Sequence, residues 1–141
     1  MNEVTAEVTF PVEFYDVDSM QVVWHGNYVK YMEKARCALL DKIGFGYLVM
    51  AAEHFAFPVT EVKVKYVRSL RFGEQVRAIA RLYEWETCLK IKYEFYNAAT
   101  GALTTKAEST QMAVNMDTGE SLFACPPVFV QRVEALLSQS E

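Results

Sequence analysis

The sequence predicts an α+β domain in which one long helix covers one face of an antiparallel sheet. Three observations predict this class: a first segment with period-two alternation, one long stretch of helical periodicity, and four further period-two segments joined by short, turn-rich links. Short links favour antiparallel neighbours, because a parallel crossover needs roughly a dozen residues or more. At 141 residues the chain has the length of one domain, so residues 1–141 are expected to form a single unit.

The first strand is predicted over residues 4–14. Every even position there is apolar, from Val4 to Phe14, while the odd positions are polar except for Pro11. This alternation indicates a strand with one buried face. Proline donates no backbone N–H, so Pro11 indicates an edge strand or a bulge.

The long helix is predicted over residues 27–43. Apolar residues recur there at helical spacing from Tyr28 to Leu39, and charged residues fall on the other faces. Gly44 follows directly and is a common residue at the end of a helix. Residues 47–54 are expected to add one or two helical turns.

The rest of the chain returns to period two after Pro58 and ends in a short helix. A five-stranded sheet with one long helix leaves its edges and its far face partly uncovered. Association with another copy would bury them, so a homodimer or a homotetramer is expected. The remaining strands are predicted over residues 60–66, 76–82, 89–95 and 102–115, and the C-terminal helix over residues 128–137.

Composition and charge exclude several classes of function. The net charge of -4 provides no general electrostatic surface for nucleic acid. No apolar run approaches the roughly twenty residues of a membrane span, and no basic-then-apolar leader opens the chain, so a cytoplasmic location is expected.

The three cysteines indicate a reducing compartment, because their odd number does not suit a disulfide framework. They show no metal-ligand spacing, and neither a metal nor another cofactor is expected. Cys37 lies on the predicted helix and is interpreted as a packed thiol rather than a nucleophile.

The chemistry-bearing segment is residues 15–28. Asp16 and Asp18 precede an apolar stretch, and His25 stands at the start of the helix. A helix N-terminus presents unpaired N–H groups and a partial positive charge, so the N–H groups near His25 and Gly26 suit a developing oxyanion. A nearby carboxylate could attack the carbonyl carbon or take a proton from water. Aspartates in such loops are also commonly solvated or capping residues, and the residues alone leave both interpretations open.

Residues 14–18 (Phe-Tyr-Asp-Val-Asp) and 22–28 (Val-Val-Trp-His-Gly-Asn-Tyr), followed by Tyr31, Glu33 and Arg36, closely resemble the motif of a thioesterase family. That family comprises the 4-hydroxybenzoyl-CoA thioesterases and the acyl-CoA thioesterases similar to them. The resemblance implies a hotdog fold, in which a five-stranded antiparallel sheet wraps around one long central helix. It also implies dimers or tetramers that hydrolyse an acyl thioester of CoA or of an acyl carrier protein.

Carried over residue by residue, the resemblance places the catalytic aspartate at Asp18, as either nucleophile or general base. The histidine of many acyl-CoA members falls on His25, whose backbone N–H lies where the family polarises the thioester carbonyl. Asp16 matches the first acidic position and is interpreted as structural.

The substrate-binding candidates are Trp24, Gly26 and Tyr28 near the reacting group, and Arg68 and Arg71 for the CoA phosphates. Trp24 and Tyr28 also suit a core or an interface. The two arginines flank a loop, and the guanidinium fork matches phosphate oxygens.

The chain departs from the family at Gln21, where many relatives carry glycine. Because glycine allows a positive φ, Gln21 is expected to reshape the loop or narrow the acyl pocket, and to affect the substrate more than the reaction. Four further aromatic residues either line that pocket or belong to the core: Phe45, Tyr47, Phe55 and Phe57.

Two other functions compete with the thioesterase. A hotdog dehydratase or hydratase would need differently placed histidine and carboxylate motifs, which the chain lacks. A non-catalytic module that binds acyl thioesters would not need both Asp18 and His25.

Overall fold

A computed structural model describes residues 3–139. Five of its strands form one antiparallel sheet, in the order β1-β4-β5-β6-β3, and β2 pairs with β7 in a small second sheet. The elements are β1 (Val4–Pro11), α1 (Tyr28–Ile43), α2 (Tyr47–Ala52), β2 (Phe55–Ala56), β3 (Val59–Tyr66), β4 (Gln75–Glu84), β5 (Leu89–Asn97), β6 (Leu103–Gln111), β7 (Val114–Asn115) and α3 (Pro127–Gln139).

β1 is an edge strand that pairs with β4, as the alternation and Pro11 predict. It ends at Pro11, so the predicted extension of the strand to Phe14 is wrong. A 3-10 turn, Phe14–Asp16, begins instead, and the side chain of Phe14 is 75% exposed. The reason is a local hydrogen bond, from the Asp16 N–H to the Glu13 carbonyl, which bends the chain away from the sheet.

α1 confirms the predicted helix to within one residue at its start. It ends at Gly44, whose φ of 82° is the left-handed conformation that glycine adopts readily. The apolar stripe is buried, including Tyr31, Ala35 and Leu39, and packs mainly against β1, β4 and β5.

The far edge of the sheet, formed by β3, extends beyond the helix, whereas the inward-facing residues of β6 are buried. β3 is the second edge, and the side chains of Val62 and Tyr66 are 38% and 50% exposed. The alternation correctly predicts a strand here, and the exposure of Val62 and Tyr66 agrees with the expectation that the edges of the sheet stay partly uncovered in one protomer. Period two defines a face and does not provide the element that covers it.

The single strand predicted over residues 102–115 is two strands. β6 ends at Gln111, which pairs with Leu89, and the chain then leaves the large sheet so that Val114 pairs with Ala56. β7 therefore belongs to the small sheet with β2. The C-terminal helix is present and slightly longer than predicted.

The aromatic residues whose role the sequence left open are divided between core and surface. Phe45 and Phe57 pack against Phe129, with ring centroids 5.3 Å from it in both cases, so they belong to the core. Tyr47 is exposed and Phe55 is half-buried. No helix within residues 3–139 is long and apolar enough to cross a bilayer.

Cys37 is half-buried on α1, and burial raises the pKa of its thiol. A protonated thiol is a weak nucleophile, which supports its interpretation as a packed side chain.

Candidate active site

The chemistry-bearing segment folds as a short two-stranded ladder that leads into α1. Val17 and Val23 pair across it as an antiparallel bridge. On one side of this bridge the Trp24 N–H donates to the Asp16 carbonyl (2.9 Å), and on the other Asp18 begins a tight turn. The ladder therefore places Asp16 at its base, against the helix, and Asp18 at its tip.

The base of the ladder is an anchor built on Asp16. Asp16 is 7% exposed, and its Oδ2 accepts from the Tyr31 hydroxyl and from the Glu13 N–H, at 2.9 Å each. The Asp16 carbonyl also accepts from the Asn27 side-chain amide at 2.7 Å. Burial, and then the hydrogen bond to Asp16, raise the pKa of Tyr31, so its hydroxyl remains a donor. These contacts support a structural role for Asp16.

The tip of the ladder, residues 18–21, is called the Asp18 turn below. The Gln21 N–H donates to the Asp18 carbonyl (2.9 Å), and the Met20 N–H donates to Asp18 Oδ1 (2.9 Å). The other carboxylate oxygen, Oδ2, accepts no hydrogen bond from the described residues. Half of this half-buried carboxylate is therefore available for chemistry.

Gln21 has a φ of 64°, in the left-handed region. This conformation costs a residue other than glycine roughly 1–2 kcal/mol. Gln21, which stands where many relatives carry glycine, is thus a strained residue in the turn that carries Asp18.

His25 begins a second 3-10 turn, His25–Asn27, directly ahead of α1. The Asn27 N–H donates to the Trp24 carbonyl, and the Tyr28 N–H donates to the His25 carbonyl. The N–H groups of His25 and Gly26 have no acceptor among residues 3–139. These are the unpaired donors that the sequence predicts at this helix start.

Two of the substrate-binding candidates lie against these donors. The Trp24 side chain is 48% exposed, and its indole covers Gly26 so closely that a Cβ at that position would overlap the ring. The indole and the His25 imidazole have centroids 5.0 Å apart. Tyr28 is only 2% exposed and is a core residue that also contributes to a cavity wall beside His25.

Asp18 lines a cavity of about 570 Å³ that also contains Arg71. Phe14 and Phe72 form another wall of this cavity, with ring centroids 5.7 Å apart. The exposed position of Phe14 is therefore part of the candidate site.

His25 lines a smaller cavity of about 220 Å³, which also contains Arg68 and Tyr66. In the protomer Asp18 and His25 thus line different cavities, and each shares its cavity with one arginine. In the described part of the chain, neither Arg68 nor Arg71 forms an ion pair.

Sequence reasoning missed one polar residue here. Tyr66 ends the strand predicted over residues 60–66, where it follows Val62 and Val64 at alternate positions, yet its hydroxyl donates to the His25 carbonyl at 2.9 Å. A tyrosine on a face of valines was the available signal. Arg36, which belongs to the motif, is 8% exposed and donates from Nη1 to the Tyr93 hydroxyl at 3.5 Å, but it lines neither of these two cavities. The described residues contain no group of three or more side chains suited to hold a metal ion.

Comparison with known proteins identifies the family. The model of the thioesterase-like superfamily matches residues 12–133. The putative acyl-CoA thioesterase YneP of Bacillus subtilis is 30% identical over 107 residues, which cover 75% of this chain and 77% of that protein.

Two solved structures from Staphylococcus aureus share the fold. The DHNA-CoA thioesterase superposes with a TM-score of 0.81 and 24% identity, over 97% of this chain and 95% of the other. The hypothetical protein SAV2348, solved in complex with CoA, superposes with a TM-score of 0.86 and 16% identity, over 98% and 87% of the respective chains.

The fold and the family model together define the class, a hotdog-fold thioester hydrolase. The chain belongs to the thioesterase-like superfamily. The predicted family, fold and class of enzyme are confirmed.

Proposed function

We propose that this enzyme hydrolyses an acyl-CoA to the free acid and CoA, with Asp18 as its catalytic residue. One observation carries the proposal: the ladder that bears the free Oδ2 of Asp18 leads directly into the unpaired N–H groups of His25 and Gly26. A carboxylate and two backbone donors are the groups that acyl transfer from a thioester requires.

Asp18 acts in one of two ways. As a nucleophile, the carboxylate attacks the thioester carbon, the thiolate leaves, and water hydrolyses the resulting mixed anhydride. As a general base, it takes a proton from water that attacks the same carbon, and the thiolate leaves from the tetrahedral intermediate. In both routes negative charge develops on the carbonyl oxygen, where the N–H groups of His25 and Gly26 donate to it. The exposed imidazole of His25 orients the water or the thioester.

Substrate contacts extend from this centre in two directions. Trp24, Gly26 and the edge of Tyr28 surround the reacting group, and Arg68 or Arg71 holds the CoA phosphates. The name of the Bacillus subtilis relative favours CoA over an acyl carrier protein as the carrier. We also propose that residues 1–141 form a single domain and that the enzyme is cytoplasmic.

The active form is a homodimer, or a homotetramer of two such dimers, joined through the β3 edge. β3 leaves one row of backbone groups unpaired, and apolar side chains on it remain exposed, including Val59 at 43% and Val62 at 38%. Sedimentation at micromolar concentration should show twice or four times the 16.1 kDa of one chain. A 16.1 kDa species alone would exclude this assembly.

The test of the activity is release of free thiol from a panel of acyl-CoAs, with analysis of the products. Hydrolysis yields an acid and a thiol, whereas a dehydratase would convert a 3-hydroxyacyl-CoA to an unsaturated thioester without releasing thiol. A binding module would retain acyl-CoA without turnover. Thiol release above that of an Asp18→Asn control supports the proposal, and its absence across the panel rejects it.

The same assay tests the carrier and the arginines. Arg68→Gln or Arg71→Gln should raise KM more than it lowers kcat for CoA esters, because the phosphates are remote from the reacting carbon. Pantetheine esters, which lack the nucleotide, should be insensitive to either change. Faster turnover of acyl carrier protein thioesters than of CoA esters would reassign the carrier.

A further inference from the structure

We propose that Tyr66 is a positioning residue that orients and strengthens the Gly26 N–H as an oxyanion donor. This inference rests on the proposed function, in which that N–H stabilises the transition state.

Tyr66 is the last residue of β3 and reaches the His25–Asn27 turn from this exposed edge of the sheet. Its hydroxyl donates to the His25 carbonyl at 2.9 Å. Its ring makes edge contacts with Tyr28 and with His25, at centroid distances of 5.4 Å and 6.4 Å. Two aromatic neighbours therefore restrict the ring while the hydroxyl bonds to the turn.

The position of this bond matters because the His25 carbonyl and the Gly26 N–H belong to the same planar peptide unit. The carbonyl accepts from both the Tyr66 hydroxyl and the Tyr28 N–H. Hydrogen bonds that draw electron density to a carbonyl strengthen the donor at the other end of its peptide, by about 10–30% per bond. The Tyr66 hydroxyl thus polarises the N–H that faces the developing oxyanion.

The bond also opposes rotation of this peptide. A peptide that precedes glycine is the easiest to rotate, because glycine has no Cβ to restrict φ. The Asp16 anchor holds the two ends of the turn, through the Trp24 N–H and the Asn27 side chain. Among the described residues, Tyr66 provides the only side chain that bonds to the central His25–Gly26 peptide.

Packing and hydrogen bonding by Tyr66 can be separated, because Tyr66→Phe keeps the ring and removes the hydroxyl. Tyr96→Phe is the matched control. It removes a hydroxyl that bonds to Glu94 at 3.1 Å, on β5 and away from the site.

Steady-state thiol release by the two variants is the first measurement. Loss of a direct oxyanion donor lowers kcat about 10²–10³-fold, and Tyr66 acts on its donor through one peptide, so Tyr66→Phe should lower kcat about 3- to 10-fold. KM should change by less than about twofold, because the interaction strengthens in the transition state. Tyr96→Phe should retain wild-type kcat. Both variants should keep the wild-type assembly in sedimentation.

Binding of two CoA analogues is the second measurement. The first is a CoA thioether that bears a trifluoromethyl ketone, whose hydrate resembles the tetrahedral intermediate. The second is a CoA alkyl thioether without a carbonyl. Tyr66→Phe should weaken binding of the ketone by the same factor by which it lowers kcat, and should leave binding of the alkyl thioether unchanged. A merely structural role for Tyr66 would weaken binding of both analogues.

The outcomes distinguish this inference from the proposed function. If the wild-type enzyme releases thiol and Asp18→Asn does not, but Tyr66→Phe matches Tyr96→Phe in kcat, only the role of Tyr66 is overturned. Equal weakening of both analogues would also overturn it. Absence of thiol release by the wild-type enzyme would overturn both.

Discussion

The Asp16 anchor and the Asp18 turn lie at opposite ends of one short ladder. Each contains an aspartate, but the two carboxylates have different surroundings. At the anchor, a buried carboxylate oxygen accepts from Tyr31 and Glu13, and the backbone carbonyl holds the start of α1. At the turn, Asp18 is half-buried and lines a cavity, one carboxylate oxygen closes the turn, and the other accepts no hydrogen bond from the described residues. Burial with internal partners makes a carboxylate a structural element, whereas partial exposure with a free oxygen leaves it able to react.

Replacing the two aspartates by asparagine gives the largest expected difference. Asp18→Asn should lower kcat about 10²–10⁴-fold, because the amide neither attacks nor accepts a proton. It should fold normally, since its side-chain oxygen can still accept from the Met20 N–H. Asp16→Asn is the control and should retain most of the activity, because an oxygen remains for Tyr31. Thiol release and circular dichroism are the measurements, and a folded Asp18→Asn enzyme with most of its kcat would refute the assignment.

Replacing each aspartate by alanine should affect stability, and here the larger effect is expected at Asp16 rather than at Asp18. Asp16→Ala should lower the free energy of unfolding by about 1–3 kcal/mol, because the buried Tyr31 hydroxyl loses its acceptor. Asp18→Ala should cost less, because its one hydrogen bond lies at an exposed turn. Urea denaturation measures both. Adding Tyr31→Phe to Asp16→Ala should recover part of the loss, and a full additive loss in the double variant would contradict the role of this hydrogen bond.

His25→Ala tests whether catalysis depends on the His25 imidazole or on the backbone N–H groups between the Asp16 anchor and α1. The backbone donors survive the substitution, so kcat should fall by about tenfold, short of the 10²–10⁴-fold of an acid–base group. The measurement is kcat for thiol release, compared between His25→Ala and Asp18→Asn. A loss as large as that of Asp18→Asn would show that the imidazole takes part directly and that the backbone donors are insufficient.

Gln21→Gly should have the smallest effect of these substitutions, and it should stabilise the protein rather than impair it. Relief of the left-handed conformation should outweigh the greater freedom of glycine in the unfolded chain and raise the free energy of unfolding by about 0.5–1 kcal/mol. Ser19→Gly is the control within the same turn. Its φ is not positive, so it should lose stability. Urea denaturation compares the two, and equal losses would show that Gln21 is not strained.

Local periodicity predicted most elements of this fold. The helical spacing before Gly44 located α1 to within one residue, and period two located β4 and β5. One error comes from a local hydrogen bond that the alternation does not reveal, and the other comes from a nonlocal strand pairing. Phe14 leaves the strand because Asp16 closes a turn, and the last predicted strand divides because Val114 pairs with Ala56.

The sequence by itself determined the elements, the order of Asp18, His25 and the helix, and through its motif the family. These properties depend on neighbours close in the chain, where spacing and side-chain chemistry suffice. Only the tertiary structure decided which aspartate is buried, that the inner face of β3 is uncovered, and that Tyr66 reaches His25 from 41 residues away. That last contact depends on the register of β3 against β6 and on the packing of α1 across the sheet, which no local pattern encodes.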